Sequence, residues 1–255
     1  MVLLSNIAFF ELAVNAVTHS NAVLTLRRQE LAQSTRVFRA RGGKAIRCDT
    51  CVMPQSDCMC ADRPSVSSQS AFCFLMYKGE VYKPSNTGRL ICDVAADNHA
   101  FLWDRTQPDP HLLALLQDPR YAPIVVFPHE YAGPERCIMH PQQVPAVIGG
   151  KQPLFVMLDG TWREAKKMFR SPYLASLPVL GIQPQQVSAY LMRDAAAPHQ
   201  LCTAEIGIAI LRLMQDDIAA DALASYFTLF CQRYTLVRPH LLEKDRTISA
   251  CPTPL

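Results

Sequence analysis

Leu154-Phe155-Val156-Met157-Leu158-Asp159-Gly160-Thr161-Trp162-Arg163-Glu164 is the stretch from which the fold is most readily read. Five apolar residues in a row, without polar alternation, suit a strand covered on both faces rather than one with a wet side. Asp159 ends the run. Gly160 permits a tight turn and close backbone approach. Thr161 and Glu164 have the spacing of a capping box, which predicts a helix beginning at Trp162. Asp159 then sits just past a strand's carboxyl end, in the crevice where open α/β sheets bind ligands. A plain capped helix with Asp159 in a local turn fits the same residues, and spacing alone does not separate the two readings.

Similar short apolar runs recur on both sides of this stretch, at Ala71–Met76, Ala100–Trp103, Pro123–Phe127 and Pro178–Ile182. Segments able to form helices, such as Leu112–Gln117 and Trp162–Arg170, lie between several of them. Buried strands separated by helices predict an α/β fold with a mostly parallel sheet. Ala204–Met214 and Ala222–Tyr234 carry apolar residues at helical spacing. Residues 19–41 also read as a helix, with Val23, Leu24, Leu26, Leu31 and Val37 on its apolar face. The expected division is an extension (1–18), a basic helix with a cysteine-rich module (19–64), an α/β domain (65–236) and a tail (237–255).

The 255 residues include 49% hydrophobic and 18% charged side chains, which excludes a disordered chain and provides for a sizeable core. A net charge of +3 permits an anionic partner without demanding one. No apolar run reaches the roughly 18 residues of a membrane span. Met1–Val17 comes nearest, but Ser5, Asn6, Glu11 and Asn15 interrupt it. It lacks the leading cation of a secretion signal and reads as an accessory helix or a start codon placed too early. Six cysteines are scattered singly, as in a reduced cytoplasmic protein, which sets the expected location. The glycine-rich dinucleotide and phosphate-loop motifs, G-x-S-x-G and H-E-x-x-H are all absent.

Further clusters carry chemistry. Cys48, Cys51, Cys58 and Cys60 form two close pairs within 13 residues, each able to supply one edge of a tetrahedral zinc site. Disulfides and unliganded thiols are the other readings. Cys202-Thr203-Ala204-Glu205 opens an apolar helix, either as a cap or as a seat for an anionic group. Lys83–Leu90 is a polar turn holding Thr87, Gly88 and two cations. Arg27, Arg28, Arg36, Arg39, Arg41, Lys44 and Arg47 face a single acid, Glu30, across residues 27–47. They form either a solvated helix face or an RNA phosphate contact.

Together these blocks resemble the DTW-domain family of tRNA-uridine aminocarboxypropyltransferases, named for its D-x-T-W motif, here Asp159-Gly160-Thr161-Trp162. The likeness takes in the cysteine cluster, Lys83–Leu90, Tyr173–Leu180, Ser188–Arg193 and Cys202–Glu205, over roughly residues 20–235. Cys202 stands where many relatives have Ser, a stronger hydrogen-bond donor. The resemblance implies a SPOUT-like knotted α/β domain with a small N-terminal zinc module held by four cysteines. It also implies transfer of the 3-amino-3-carboxypropyl group of S-adenosylmethionine to N3 of a tRNA uridine, in the variable loop in bacterial relatives, giving acp3U and methylthioadenosine.

Fitted to that reaction, Asp159 is the first candidate for the base and Glu205 the second. Thr87, Gly88, Thr161, Trp162, Leu177, Pro178, Tyr190, Arg193, Cys202 and Thr203 would hold the co-substrate. Trp162 would stack on the base or only pack, and the arginines of 27–47 and the zinc module would grip the tRNA backbone. A SPOUT-type RNA methyltransferase and a non-enzymatic zinc-stapled RNA-binding protein are the rival readings.

Overall fold

The computed structural model describes residues 20–35, 46–66, 68–182 and 201–236. The chain folds as an α/β sandwich around six parallel strands: β1 (Ala71–Met76), β2 (Asn98–Leu102), β3 (Tyr121–Val126), β4 (Cys137–Ile138), β5 (Gln152–Asp159) and β6 (Val179–Leu180). Their order across the sheet is β2-β1-β5-β3-β6-β4. The longest strand, β5, lies between β1 and β3 and pairs in parallel with both. Helices cover both faces of the sheet, which is why Leu154–Leu158 is continuously apolar: Leu154, Phe155 and Val156 are each fully buried.

Strand pleating splits the buried side chains between two cores. Phe72, Phe74 and Met76 of β1 and Phe155 and Met157 of β5 enter one, with the helices α1 (Ala22–Gln33), α2 (Gly88–Cys92), α6 (Thr203–Leu213) and α7 (Asp217–Leu236). Cys73 and Leu75 of β1 and Leu154 and Val156 of β5 enter the other, under α3 (Pro110–Gln117) and α5 (Trp162–Phe169). A short α4 (Val144–Ile148) completes the α-helices among the described residues.

The helix predicted at Trp162 begins there, and Thr161 and Glu164 form the expected capping box. β4 and α4 were not anticipated; a two-residue strand and a five-residue helix are too short to show a period. The helix predicted over 19–41 is shorter: it runs from Ala22, capped by Asn21, to Gln33, where Ser34 takes an extended conformation and ends it, and residues 36–41 lie outside the described residues. The extension 1–18 and the tail 237–255 lie outside the described residues.

The cysteine loop is not a bead apart. Cys51, Met53 and Met59 are fully or almost fully buried in the same core as Phe72 and Phe74. Arg233 of α7 donates to the Cys58 carbonyl and pairs with Asp62 at 2.9 Å, tying the loop to the last helix.

Candidate functional site

Register places the site. Met76, the last residue of β1, pairs with Asp159, the last of β5. The loop leaving β1 therefore emerges beside the Asp159 carboxylate, and the Tyr77 N–H donates to the Asp159 carbonyl at 2.9 Å. Asp159 shares pleat parity with Phe155 and Met157, so its side chain points toward α2 and α6. There the Asn86 amide donates to Oδ2 at 2.7 Å and the Thr203 hydroxyl to Oδ1 at 3.2 Å. Asp159 is only 5% exposed.

The first turns of α2 and α6 meet at this carboxylate. Thr87 precedes α2, and its hydroxyl accepts from the Ala204 N–H at 3.2 Å. Gly88 is required by the close approach: a Cβ there would lie 2.8 Å from Asp159 Oδ2. At the head of α6, the Cys202 N–H donates to Glu205 Oε2 at 2.7 Å, so this buried carboxylate caps the helix. Burial, then the neighbouring Glu205, pushes the Cys202 thiol up to about 12, which keeps it neutral.

The structure thus brings together Asp159, Thr87, Gly88, Cys202, Thr203 and Glu205. It adds Asn86, which sequence reading passed over although it stands beside Thr87; amides give no periodic signal. The two cations of that turn face elsewhere. Lys83 pairs with Glu80, and Arg89 is buried with its guanidinium over the Phe230 ring.

Other predicted residues lie apart from the cluster. Thr161 is exposed and bonded to Glu164. Trp162 follows α5 to the opposite face of the sheet, where it stacks on Phe127 with centroids 5.3 Å apart and meets Tyr131 edge-on. Leu177 and Pro178 precede β6. Val179 is level with Val125, and Val125 with Val156, which puts Leu177 roughly 16 Å from Asp159 along the strands. The Leu177 carbonyl accepts from Arg136 and the Pro178 carbonyl from Val125. Tyr190 and Arg193 lie outside the described residues.

Cys48, Cys51, Cys58 and Cys60 converge, with all four sulfurs within 4.8 Å of one another. Cys48–Cys60 and Cys51–Cys58 are 3.5 and 3.7 Å apart. Four thiolates at about 2.3 Å from one zinc would stand about 3.8 Å apart, so the cluster fits a tetrahedral ion. The turn is tight: Val52, a β-branched residue, takes φ 62°, and its N–H bonds to the Cys48 carbonyl at 2.9 Å.

The basic run is only partly seen. Arg36, Arg39, Arg41 and Lys44 lie outside the described residues. Arg28 is exposed; Arg47 donates to the Val52 carbonyl at 3.1 Å. Arg27 is half-buried, and burial, then nearby Arg47, holds its guanidinium below the ordinary arginine range.

A parallel α/β sheet with a polar cluster at the carboxyl ends of its central strands, and a four-thiol loop packed into its core, has the layout of a ligand-binding α/β protein. The DTW-domain model matches residues 45–235, well over half of the chain, and the chain belongs to the DTW-domain family. That family is associated with tRNA modification. No solved structure matches the chain. Among the described residues no helix is long and apolar enough to cross a membrane.

Proposed function

We propose that this protein is a cytoplasmic tRNA-uridine aminocarboxypropyltransferase. It moves the 3-amino-3-carboxypropyl group of S-adenosylmethionine to N3 of a variable-loop uridine, yielding acp3U and methylthioadenosine. The observation that carries the reading is the family's own motif ending β5, with Asp159 buried between the first turns of two helices. The order β2-β1-β5-β3-β6 supports a SPOUT-like arrangement, because the later strand β5 is inserted between two earlier ones. Residues 183–200 lie outside the described residues.

The sulfonium of S-adenosylmethionine activates three carbons, and the product depends on which one faces the nucleophile. In this reading the N3–Cγ bond forms as the S–Cγ bond breaks, sulfur keeps the electron pair, and the N3 proton leaves to a base. Thr87, Gly88 and Thr203 would hold the amino-acid end. Asp159, oriented by Asn86 and Thr203, would take or orient the N3 proton. Zinc at the four cysteines would hold the loop to the core, a structural role, since four protein ligands leave no open position.

Nucleoside and small-molecule mass spectrometry on purified protein, S-adenosylmethionine and unmodified tRNA tests this. Expected are acp3U and methylthioadenosine. A methylated base with S-adenosylhomocysteine would assign a methyltransferase instead, and failure to bind S-adenosylmethionine would leave an RNA-binding protein.

A further inference from the structure

The RNA contact assigned from sequence was the segment 27–47, yet a second basic surface stands next to the motif. Arg163, Lys166 and Lys167 on α5 and Arg170 at its C-cap recur at helical spacing, spanning about 10 Å. The opposite side of the same helix, Ala165, Met168 and Phe169, is buried in the core. Among the described residues none of these four cations is in an ion pair, although Glu130 and Glu135 are exposed on the neighbouring loop. The nearest acid in sequence, Glu164, is engaged with the Thr161 N–H and hydroxyl. By contrast, exposed Arg120 and Arg212 each have an aspartate partner.

The cations rise beside aromatic rings. Lys166 Nζ lies 4.6 Å from the Tyr131 ring centroid and 5.2 Å from that of Trp162. Phe127 stacks between Trp162 and Phe169. Next to them is a pocket of about 360 Å³ lined by Phe127, Tyr131, Arg136, Lys166, Phe169 and Arg170. Unpaired cations suit phosphates, and an aromatic recess suits an unstacked base.

We propose that α5 and this pocket form the RNA-docking surface: Arg163, Lys167 and Arg170 contact backbone phosphates, and the pocket beside Tyr131 and Lys166 seats an unpaired nucleotide of the same strand. This rests on the tRNA reading above and deepens it. Because α5 starts three residues after Asp159, the surface would set the register in which the target uridine reaches the reacting centre.

The test is fluorescence anisotropy of a labelled tRNA transcript over a range of KCl concentrations, using the full chain. Charge reversal of Arg163, Lys167 and Arg170 to Glu should weaken binding at least tenfold and lower the salt slope by about 0.7–0.9 per lost phosphate contact. Tyr131→Ala should weaken binding about five- to 150-fold with the salt slope unchanged. Arg120→Glu, a reversal near the start of β3, should leave both near wild type. S-adenosylmethionine binding by calorimetry should persist in every variant, reporting an intact fold. A triple variant that behaves like Arg120→Glu would overturn the surface while leaving the tRNA reading standing. Wild-type protein that neither binds nor modifies tRNA would overturn both.

Discussion

Gly88→Ala probes the site at its tightest point. The added methyl would sit 2.8 Å from Asp159 Oδ2 and 3.1 Å from two carbons of the Phe74 ring. Phe74 is fully buried and braced by the sheet, so the carboxylate is the group that yields. Restoring an ordinary contact near 3.4 Å requires a retreat of about 0.6 Å. A shift of that size away from Asn86 stretches the 2.7 Å bond to about 3.3 Å, beyond the usual hydrogen-bond range. A 1 Å misplacement of a reacting group costs about 10²-fold, so a 10- to 100-fold loss of turnover is expected. Stability should fall by about 1–3 kcal/mol, because Gly88 opens α2 instead of lying in its interior and the added methyl overpacks the core. Methylthioadenosine release with saturating tRNA reads the first quantity, and a thermal melt the second. Asn86→Ala, which removes the same bond without a clash, should lose turnover too. If Gly88→Ala and Asn86→Ala both fold and turn over at the wild-type rate, the reaction does not depend on the placement of Asp159.

Asp159→Asn keeps the shape and removes the charge; turnover should fall about 10²–10⁴-fold while S-adenosylmethionine binding by calorimetry changes far less, and a near-normal rate would move the base assignment to Glu205. Wild-type protein purified under reducing conditions should contain one zinc per chain by elemental analysis. Cys51→Ser should lose the metal and, because Cys51, Met53 and Met59 belong to the main core, lower the melting temperature of the whole fold rather than of a detached module; reduced wild-type protein without zinc would refute the site. Asn21 caps α1 through the Leu24 N–H and its amide bonds to the Arg89 carbonyl and Asp93, so Asn21→Ala should cost about 2–4 kcal/mol, with Asn21→Ser recovering only the cap. Equal melting temperatures for Asn21→Ala and wild type would show that the join between α1 and α2 carries no such energy.

Local chemistry was legible where it was dense and short-range. Four thiols within 13 residues identify their cluster without knowledge of the fold, since the closing loop is only as long as its own spacing. The β5-to-α5 junction was legible for the same reason: an unalternating apolar run and a capping box are decided by neighbours three residues apart or fewer. What surrounds Asp159 was not legible, because Asn86 and Thr203 lie 73 and 44 residues away in the chain.

Local pattern and motif order were thus enough for five of the six strands, the helix starting at Trp162, the thiol cluster and the family. How one motif is divided between two faces had to wait for the assembled fold. Asp159 turns with the pleat of β5 toward α2 and α6, whereas Trp162, three residues on, is carried by α5 onto Phe127 across the sheet. A strand alternates its side chains every residue and a helix turns once every 3.6, so which side each residue meets is settled only when the sheet acquires its register and the helices their faces.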